Sequence, residues 1–113
     1  MKVIPAIDLK DGQVVRLVRG DPRLSKSYSS LGSPSSIAKM WIDHGAKTIH
    51  IVDLDAALGS GSNLPIIEEM VKTLKVNFQV GGGIRSLGLA KKLFDIGVKR
   101  IIVGTMAFEN REA

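Results

Sequence analysis

At 113 residues the chain suits one small domain, and its 44% hydrophobic residues are enough for a core, which argues against disorder. It contains no cysteine, which excludes disulfides and thiolate chemistry, and no apolar run nears the roughly 20 residues of a membrane span. The net charge is +5, but the basic residues are scattered and only 4% of residues are aromatic, so no nucleic-acid surface is indicated. Without an export signal, we expect a soluble cytoplasmic protein. An anionic small substrate would explain the excess of positive charge, and so would a merely soluble surface.

The first third of the chain predicts a strand, a hairpin arm and a loop. Residues 2–8 are mostly apolar and end on Asp8, which predicts a strand. Asp11-Gly12 is a turn signal, so residues 13–19 are predicted to form a second strand paired with the first. Residues 20–33 lack periodicity and are rich in Ser, Gly, Pro and basic residues, which predicts a long exposed loop.

Helices and strands alternate through the remainder. We predict, in order, a helix from Ser33-Pro34 to Gly45, a strand at 47–53, a loop at 55–62, a helix capped by Asn63, a strand at 76–80, a helix at 87–96 and a strand at 98–103. A fourth helix would be starting at about Ala113. This alternation predicts right-handed βαβ units and a parallel sheet.

An internal repeat supports a barrel. A shift of 52 residues places Ala38-Lys39 on Ala90-Lys91 and Gly45 on Gly97, with apolar positions matching between them. A two-fold repeat of a βαβα unit suits a barrel built by duplication, whereas a doubly wound sheet does not require one.

A glycine turn, Gln79 to Ser86 (QVGGGIRS), joins a predicted strand to a predicted helix. Glycines allow close approach and positive φ, and a helix N-terminus capped by Ser86 adds a partial positive charge, so the segment predicts a phosphate site. It has neither the Gly-Lys-Ser/Thr of a P-loop nor the spacing of a dinucleotide fingerprint. The alternative is a tight turn that binds nothing.

The polar residues are predicted to share one edge of the sheet. The four strands of the βαβ units end in Asp8, Asp53, the turn at 81–83 and Gly104-Thr105. In parallel α/β folds the carboxyl ends of the strands carry the chemistry, so this edge is the predicted site.

Four motifs in register resemble the phosphoribosylformimino-aminoimidazole-carboxamide ribotide isomerase family of histidine biosynthesis, over its N-terminal half. The motifs are PAIDLKDGQVVRL (5–17), VDLDAA (52–57), VGGGIRS (80–86) and VGT (103–105). The sister cyclase of the pathway shares Asp8 and the glycine turn, but the wording of the first two motifs is nearer the isomerase. A dual-substrate isomerase that also serves tryptophan biosynthesis is similar here and stays an alternative.

The resemblance implies a (βα)8 TIM barrel that performs an Amadori rearrangement, aminoaldose to aminoketose, without cofactor or metal. An acid must open the ribose ring and a base must remove the C2 proton, and two carboxylates can do both. Asp8 matches the family's general base, while the second aspartate would lie beyond Ala113. The family's bis-phosphate substrate implies further contacts: a phosphate site at Gly82, Gly83, Gly104 and Thr105, and a substrate-contacting basic residue at Arg16.

Several single residues have two readings. His50 either lines the site or packs in the core, and Arg85 either binds phosphate or pairs with a carboxylate. Asp53 is more simply a structural carboxylate that caps a loop than a substrate contact. His44 is most simply an ordinary packing or surface residue on its helix.

The length departs from the family, because such a barrel needs about 250 residues. The chain would cover the first four βα units as one half-barrel domain, with two exposed sheet edges and an exposed apolar inner face. It would be a truncated isomerase, an isolated half-barrel or one chain of a split barrel, with a complementary half or a second copy as partner. A non-catalytic phosphate-binding half-barrel that self-associates is the alternative function.

Overall fold

A computed structural model describes residues 4–18, 21–27, 32–58, 61–84, 86–104 and 106–110. The strands are β1 (Ala6–Lys10), β2 (Gln13–Val18), β3 (Asp21–Ser27), β4 (Thr48–Asp53), β5 (Asn77–Gly81), β6 (Arg100–Val103) and β7 (Met106–Glu109). The helices are α1 (Pro34–Asp43), α2 (Leu54–Leu58), α3 (Leu64–Thr73) and α4 (Leu87–Asp95). Within these ranges, the helices lack the length and apolar character that crossing a bilayer requires.

The strands form one mixed sheet in the order β3-β2-β1-β4-β5-β6-β7. Its centre, β1-β4-β5-β6, is parallel, with Ile7 opposite Ile51, Ile51 opposite Val80 and Val80 opposite Ile101. The helices α1, α3 and α4 stand between successive parallel strands, so the predicted βαβ units are confirmed.

Alternation along the parallel strands gives the sheet two different faces. One face is apolar and packs with buried residues of α1, α3 and α4; it consists of Ile7, Leu9, Ile49, Ile51, Phe78, Val80 and Ile101. Residues of the opposite parity occupy the other face, which we call the open face: Ala6, Asp8, Lys10, Thr48, His50, Val52, Asn77, Gln79, Gly81, Arg100 and Ile102. The open face therefore carries the polar side chains of the sheet's centre.

The internal repeat appears in the structure as two matching helix–strand pairs. Ser33 and Ser86 cap α1 and α4, each Oγ accepting a hydrogen bond from the backbone N–H three residues on, at 3.2 and 3.1 Å. The strands that follow, β4 and β6, begin 52 residues apart. Both caps were predicted, and the local sequence therefore determines where these helices begin.

Four predicted boundaries were wrong. The predicted loop at 20–33 contains β3, because β2 offers a strand edge to pair with, which periodicity alone does not reveal. The predicted loop at 55–62 begins inside the short helix α2, and β7 pairs with β6 after the last predicted strand. The first strand runs to Lys10, so Asp8 lies within β1 and not at its end.

The described sheet is open and has two edges, as predicted, but its edge strands are β3 and β7 and not the parallel strands β1 and β6. On one side, β2 pairs with β1 and β3 pairs with β2; on the other, β7 pairs with β6, all antiparallel. These hairpin strands are local in the chain, so they satisfy the backbone groups of β1 and β6 without needing a distant segment.

Candidate active site

Three strands bring Asp8, His50 and Gln79 onto the open face. His50 lies between Ala6 and Gln79 in one row across the sheet. In the row nearer the carboxyl ends, Asp8 lies opposite Val52, which in turn lies opposite Gly81. Because all three strands are parallel, Asp8 stands diagonally ahead of His50 on the same face.

The imidazole of His50 is held on one side by Gln79. The amide Nε2 of Gln79 lies 2.9 Å from His50 Nδ1, and only 9% of Gln79 is exposed. A Cβ atom at Gly81 would lie 3.4 Å from His50 Cε1 and 3.6 Å from Nε2. The outer edge of the ring therefore lies over Gly81, in the row that Asp8 occupies.

The two titratable groups shift each other's pKa in addition to being desolvated. Burial raises the pKa of Asp8 above its ordinary value, and the nearby His50 charge partly opposes this. Burial lowers the pKa of His50, and the carboxylate of Asp8 partly opposes that. Desolvation dominates both shifts, so it favours the uncharged forms and makes Asp8 a stronger base than an ordinary aspartate.

The glycine turn follows β5 at the same edge. Gly82 and Gly83 have φ of 86° and 72°, the left-handed region that glycine adopts without a steric penalty. A Cβ atom on Gly83 would lie 2.3 Å from the carbonyl carbon of Ala56 in α2. Close contact with α2 is thus enough to require glycine at position 83, whatever else the turn does.

Gly104 follows β6, which pairs with β5 through Gly81 and Ile102. Its φ is 62°, and a Cβ atom there would meet nothing within 4 Å among the described atoms. The turn at Gly82–Gly83 and Gly104 therefore end neighbouring strands on one edge, as predicted, with open space at Gly104.

Three predicted contacts cannot be compared with side-chain geometry. Arg16 lies in β2, where its backbone is opposite Lys26, but its side chain is outside the described part. Arg85 and Thr105 lie outside the described residues. Their roles stay predictions.

A buried polar cluster of Asp53, Asp55 and Asn63 lies beside this edge. The Nδ2 group of Asn63 donates to Asp53 Oδ1 at 2.8 Å and to Asp55 Oδ2 at 2.9 Å. Its Oδ1 accepts from the backbone N–H of Gly12 at 2.9 Å, and the N–H of Asp11 donates to Asp55 at 2.7 Å. The cluster therefore fastens the β1–β2 turn to the segments that follow β4.

Asp53 has the structural role that the sequence favoured for it. Its carboxylate accepts from the backbone N–H groups of Ala56, at 3.1 Å, and Asn63, at 2.7 Å. Asn63 is the N-cap of α3, as predicted, but its side chain makes no capping bond. The side chain is instead committed to the two carboxylates.

Sequence reasoning gave no role to Gln79, and it gave Asn63 a different one. Gln79 lies between Phe78 and Val80 in a buried apolar strand, and a lone amide at such a position needs a partner. Gln79 lies opposite His50 only because of the pairing of β4 with β5, so the sequence alone could not identify that partner.

The family model for histidine biosynthesis proteins matches residues 2–113. Three relatives have the name 1-(5-phosphoribosyl)-5-((5-phosphoribosylamino)methylideneamino)imidazole-4-carboxamide isomerase. The protein from Methanosphaera stadtmanae is 50% identical over 112 residues, which cover 99% of this chain and 46% of the relative. Those from Prochlorococcus marinus and Halothermothrix orenii are each 50% identical over 113 residues, again 99% of this chain, and 44% and 47% of the relatives.

The chain thus spans slightly less than half the length of these relatives, and the residues matched by the family model, 2–113, include all four motifs. The resemblance inferred from those motifs is confirmed. The chain belongs to the histidine biosynthesis protein family.

Proposed function

We propose that this chain is the N-terminal half of a (βα)8 barrel isomerase that converts a bis-phosphorylated aminoaldose ribotide into the aminoketose in histidine biosynthesis. The observation that carries the proposal is the position of Asp8, a carboxyl of raised pKa on the polar open face beside His50. The isomerase name carried by relatives that are 50% identical supports the reaction class.

In the proposed reaction Asp8 is the general base. An acid protonates the ribose ring oxygen, the ring opens to an iminium at C1, and Asp8 takes the proton from C2. The enolamine that results becomes the C2 ketone when a proton returns at C1 and the C2 hydroxyl loses its proton. A carboxylate whose pKa is raised toward the working pH is suited to this step, because it accepts a proton more readily while still ionised.

The acid in this scheme is a second carboxylate outside this chain. Ring opening needs a proton donor and the C2 step needs a proton acceptor, and a pair of carboxylates can supply both. The resemblance implies that the second aspartate lies beyond Ala113, so we assign the ring-opening acid to the other half of the barrel.

One substrate phosphate is proposed to bind at the edge formed by Gly82, Gly83, Gly104 and Thr105, with Arg16 and Arg85 as further contacts. Backbone N–H groups at residues of positive φ and at the start of α4 can converge on an anion. The open space at Gly104 supports this position, since a phosphate oxygen can approach the backbone there.

The proposed missing half has two places to pack. The open face carries the apolar Ala6, Val52 and Ile102 beside its polar residues, and it would become the barrel interior. On the helix side, an apolar groove of about 510 Å³ lies along α4, lined by residues that include Phe94, Val103 and Phe108. That groove is where a parallel α/β fold would place the helix that follows β6.

A second copy of this chain is the alternative partner. Exposed apolar side chains favour association: Ile4 is 45% exposed, Met106 62% and Phe108 44%. Such a pair would hold two copies of Asp8 and two glycine turns, and it corresponds to the phosphate-binding half-barrel that self-associates.

Mixing experiments test the proposal. The chain would be combined with the separately expressed remainder of the Methanosphaera stadtmanae relative, and conversion of the ribotide would be followed. We expect turnover on mixing and none from the chain alone. Asp8→Asn in the mixture should lower kcat by about 10²–10⁴, because the amide keeps the shape but cannot accept the C2 proton.

Asp11→Asn is the matched control, since it removes the same charge from an exposed position in the adjacent turn. Activity that survives Asp8→Asn as well as it survives Asp11→Asn would remove Asp8 from the mechanism. Turnover by the chain alone would contradict both the need for a complementary half and the alternative of a non-catalytic half-barrel that self-associates.

A further inference from the structure

We propose that Gln79 is a positioning residue that holds His50 as the neutral tautomer protonated on Nε2, so that the ring presents a hydrogen-bond donor beside Asp8. The inference rests on the proposed function for its catalytic meaning, but the tautomer itself follows from contacts within the chain. The resemblance to the family gave Gln79 neither a catalytic nor a phosphate-binding role.

The first step is the direction of the hydrogen bond. The atom of Gln79 that lies 2.9 Å from His50 Nδ1 is the amide nitrogen. An amide nitrogen only donates, so Nδ1 must accept, and a neutral imidazole that accepts at Nδ1 carries its proton on Nε2.

The second step is the rigidity of the contact. Gln79 is 9% exposed and stands in β5 between two buried residues, Phe78 and Val80. A buried amide that lost this bond would leave a polar group without a partner, which destabilises the fold. The position of the amide therefore constrains the ring and not the reverse.

The third step is the direction of the other ring nitrogen. His50 Nε2 lies over Gly81, in the row of the sheet that contains Asp8. An N–H at this place can donate to the carboxylate of Asp8 or to a substrate hydroxyl or carbonyl oxygen next to it. The site then has one base, Asp8, and one neutral donor, His50, in place of two competing bases.

Burial of His50 favours a neutral ring and outweighs the carboxylate of Asp8, which favours the charged form. The open-face charges on the neighbouring strands are Asp8 and Lys10 on β1, and Arg100 on β6 beyond Gln79. A second proton on His50 would place an Nδ1–H against the amide N–H of Gln79, which opposes protonation in the same direction as burial does.

The other histidine of the chain is a built-in reference. His44 Nδ1 lies 2.7 Å from the carbonyl oxygen of Met40 at the end of α1. A carbonyl only accepts, so this contact favours the proton on Nδ1. The two histidines are thus expected to show opposite tautomers in one sample.

The test is ¹⁵N NMR of the chain labelled on its histidine rings, at a pH above the normal histidine titration range. Protonated and unprotonated ring nitrogens differ strongly in ¹⁵N shift, and His44→Asn assigns the two ring systems. We expect His50 to be protonated on Nε2 and His44 on Nδ1. A proton on His50 Nδ1 in the unmodified chain would overturn the proposal.

Two variants examine the cause. In Gln79→Glu the carboxylate accepts, so Nδ1 of His50 should become protonated and the pKa of His50 should rise. In Gln79→Met the bond is lost, and the His50 nitrogens should move toward averaged shifts while those of His44 stay in place. An unchanged His50 tautomer in the folded Glu and Met variants would refute a positioning role for Gln79.

This outcome is separable from that of the proposed function. An inactive mixture with the tautomers as expected would refute the isomerase and leave the role of Gln79 in place. Turnover in the mixture with His50 protonated on Nδ1 would do the opposite.

Discussion

Replacing Asn63 by alanine should be among the most destabilising single changes in this fold. The side chain is 3% exposed and makes three short hydrogen bonds: to Asp53, to Asp55 and from the backbone of Gly12. Alanine leaves two buried carboxylate oxygens and one backbone N–H each short of a partner. The effect is mainly the cost of unpaired polar groups, with little loss of apolar packing.

The magnitude follows from the type of each bond. A hydrogen bond to a charged group contributes about 1.5–3 kcal/mol and one between neutral groups about 0.5–1.5 kcal/mol. Both carboxylates keep other donors in the variant. Asp53 still accepts from the backbone N–H groups of residues 56 and 63, and Asp55 still accepts from the backbone N–H of Asp11. A surface cavity lined by Asp11, Ser62 and neighbours also admits water. We therefore expect a loss of about 3–5 kcal/mol in the free energy of unfolding.

Urea unfolding at fixed protein concentration, followed by far-UV circular dichroism, measures this loss. Asn77→Ala is the control, because the same truncation at an exposed position should change stability by no more than about 0.5 kcal/mol. A loss below about 1 kcal/mol for Asn63→Ala would contradict the reasoning, since water would then be an adequate replacement for the amide.

Two further predictions concern the glycine turn and the acid–base pair. Gly83→Ala should destabilise the fold more than Gly104→Ala, and thermal unfolding of the two variants compares the losses. Both glycines have positive φ, which costs an alanine about 1–2 kcal/mol, but only at Gly83 would the new Cβ collide with Ala56. Equal losses of stability would refute the contact between Gly83 and Ala56. Asp8→Asn should raise stability at neutral pH, because the raised pKa of Asp8 means that ionising it costs the folded state stability as the pH rises above 3.8. This gain in stability should vanish below pH 3.8, and a gain that did not depend on pH would show that ionisation of Asp8 is not the cause. Asp8→Asn should also lower the pKa of His50 further, because the carboxylate of Asp8 raises it.

The parallel centre of the sheet was predictable because its signals are local. Ser33 and Ser86 begin helices in the sequence and in the structure, and the apolar runs of β4, β5 and β6 alternate with them. The shift of 52 residues between repeats is the spacing of β4 and β6.

The flanking strands and the contacts of the site were not predictable, because they depend on register. The strand β3 is stabilised by the edge of β2 and has no apolar periodicity of its own. Gln79 and His50 are 29 positions apart and meet through strand pairing. Asn63 and Asp53 are 10 positions apart and meet through loop packing. Asp8 could be singled out by the motif that contains it, but its row beside His50 required the parallel register of β1 and β4.

The polar cluster of Asp53, Asp55 and Asn63 also has a consequence for folding rates. Its bonds to residues 11 and 12 close chain segments of 44 and 51 residues, and they need finished geometry at both ends. Contacts of this kind form late, after the strands have paired, so weakening them leaves the folding rate nearly constant and speeds unfolding. Stopped-flow measurements on Asn63→Ala should show the change in the unfolding arm; a slowed folding arm would place the cluster in the nucleus. The Asn63 amide then determines how long the native state persists more than how fast it is reached.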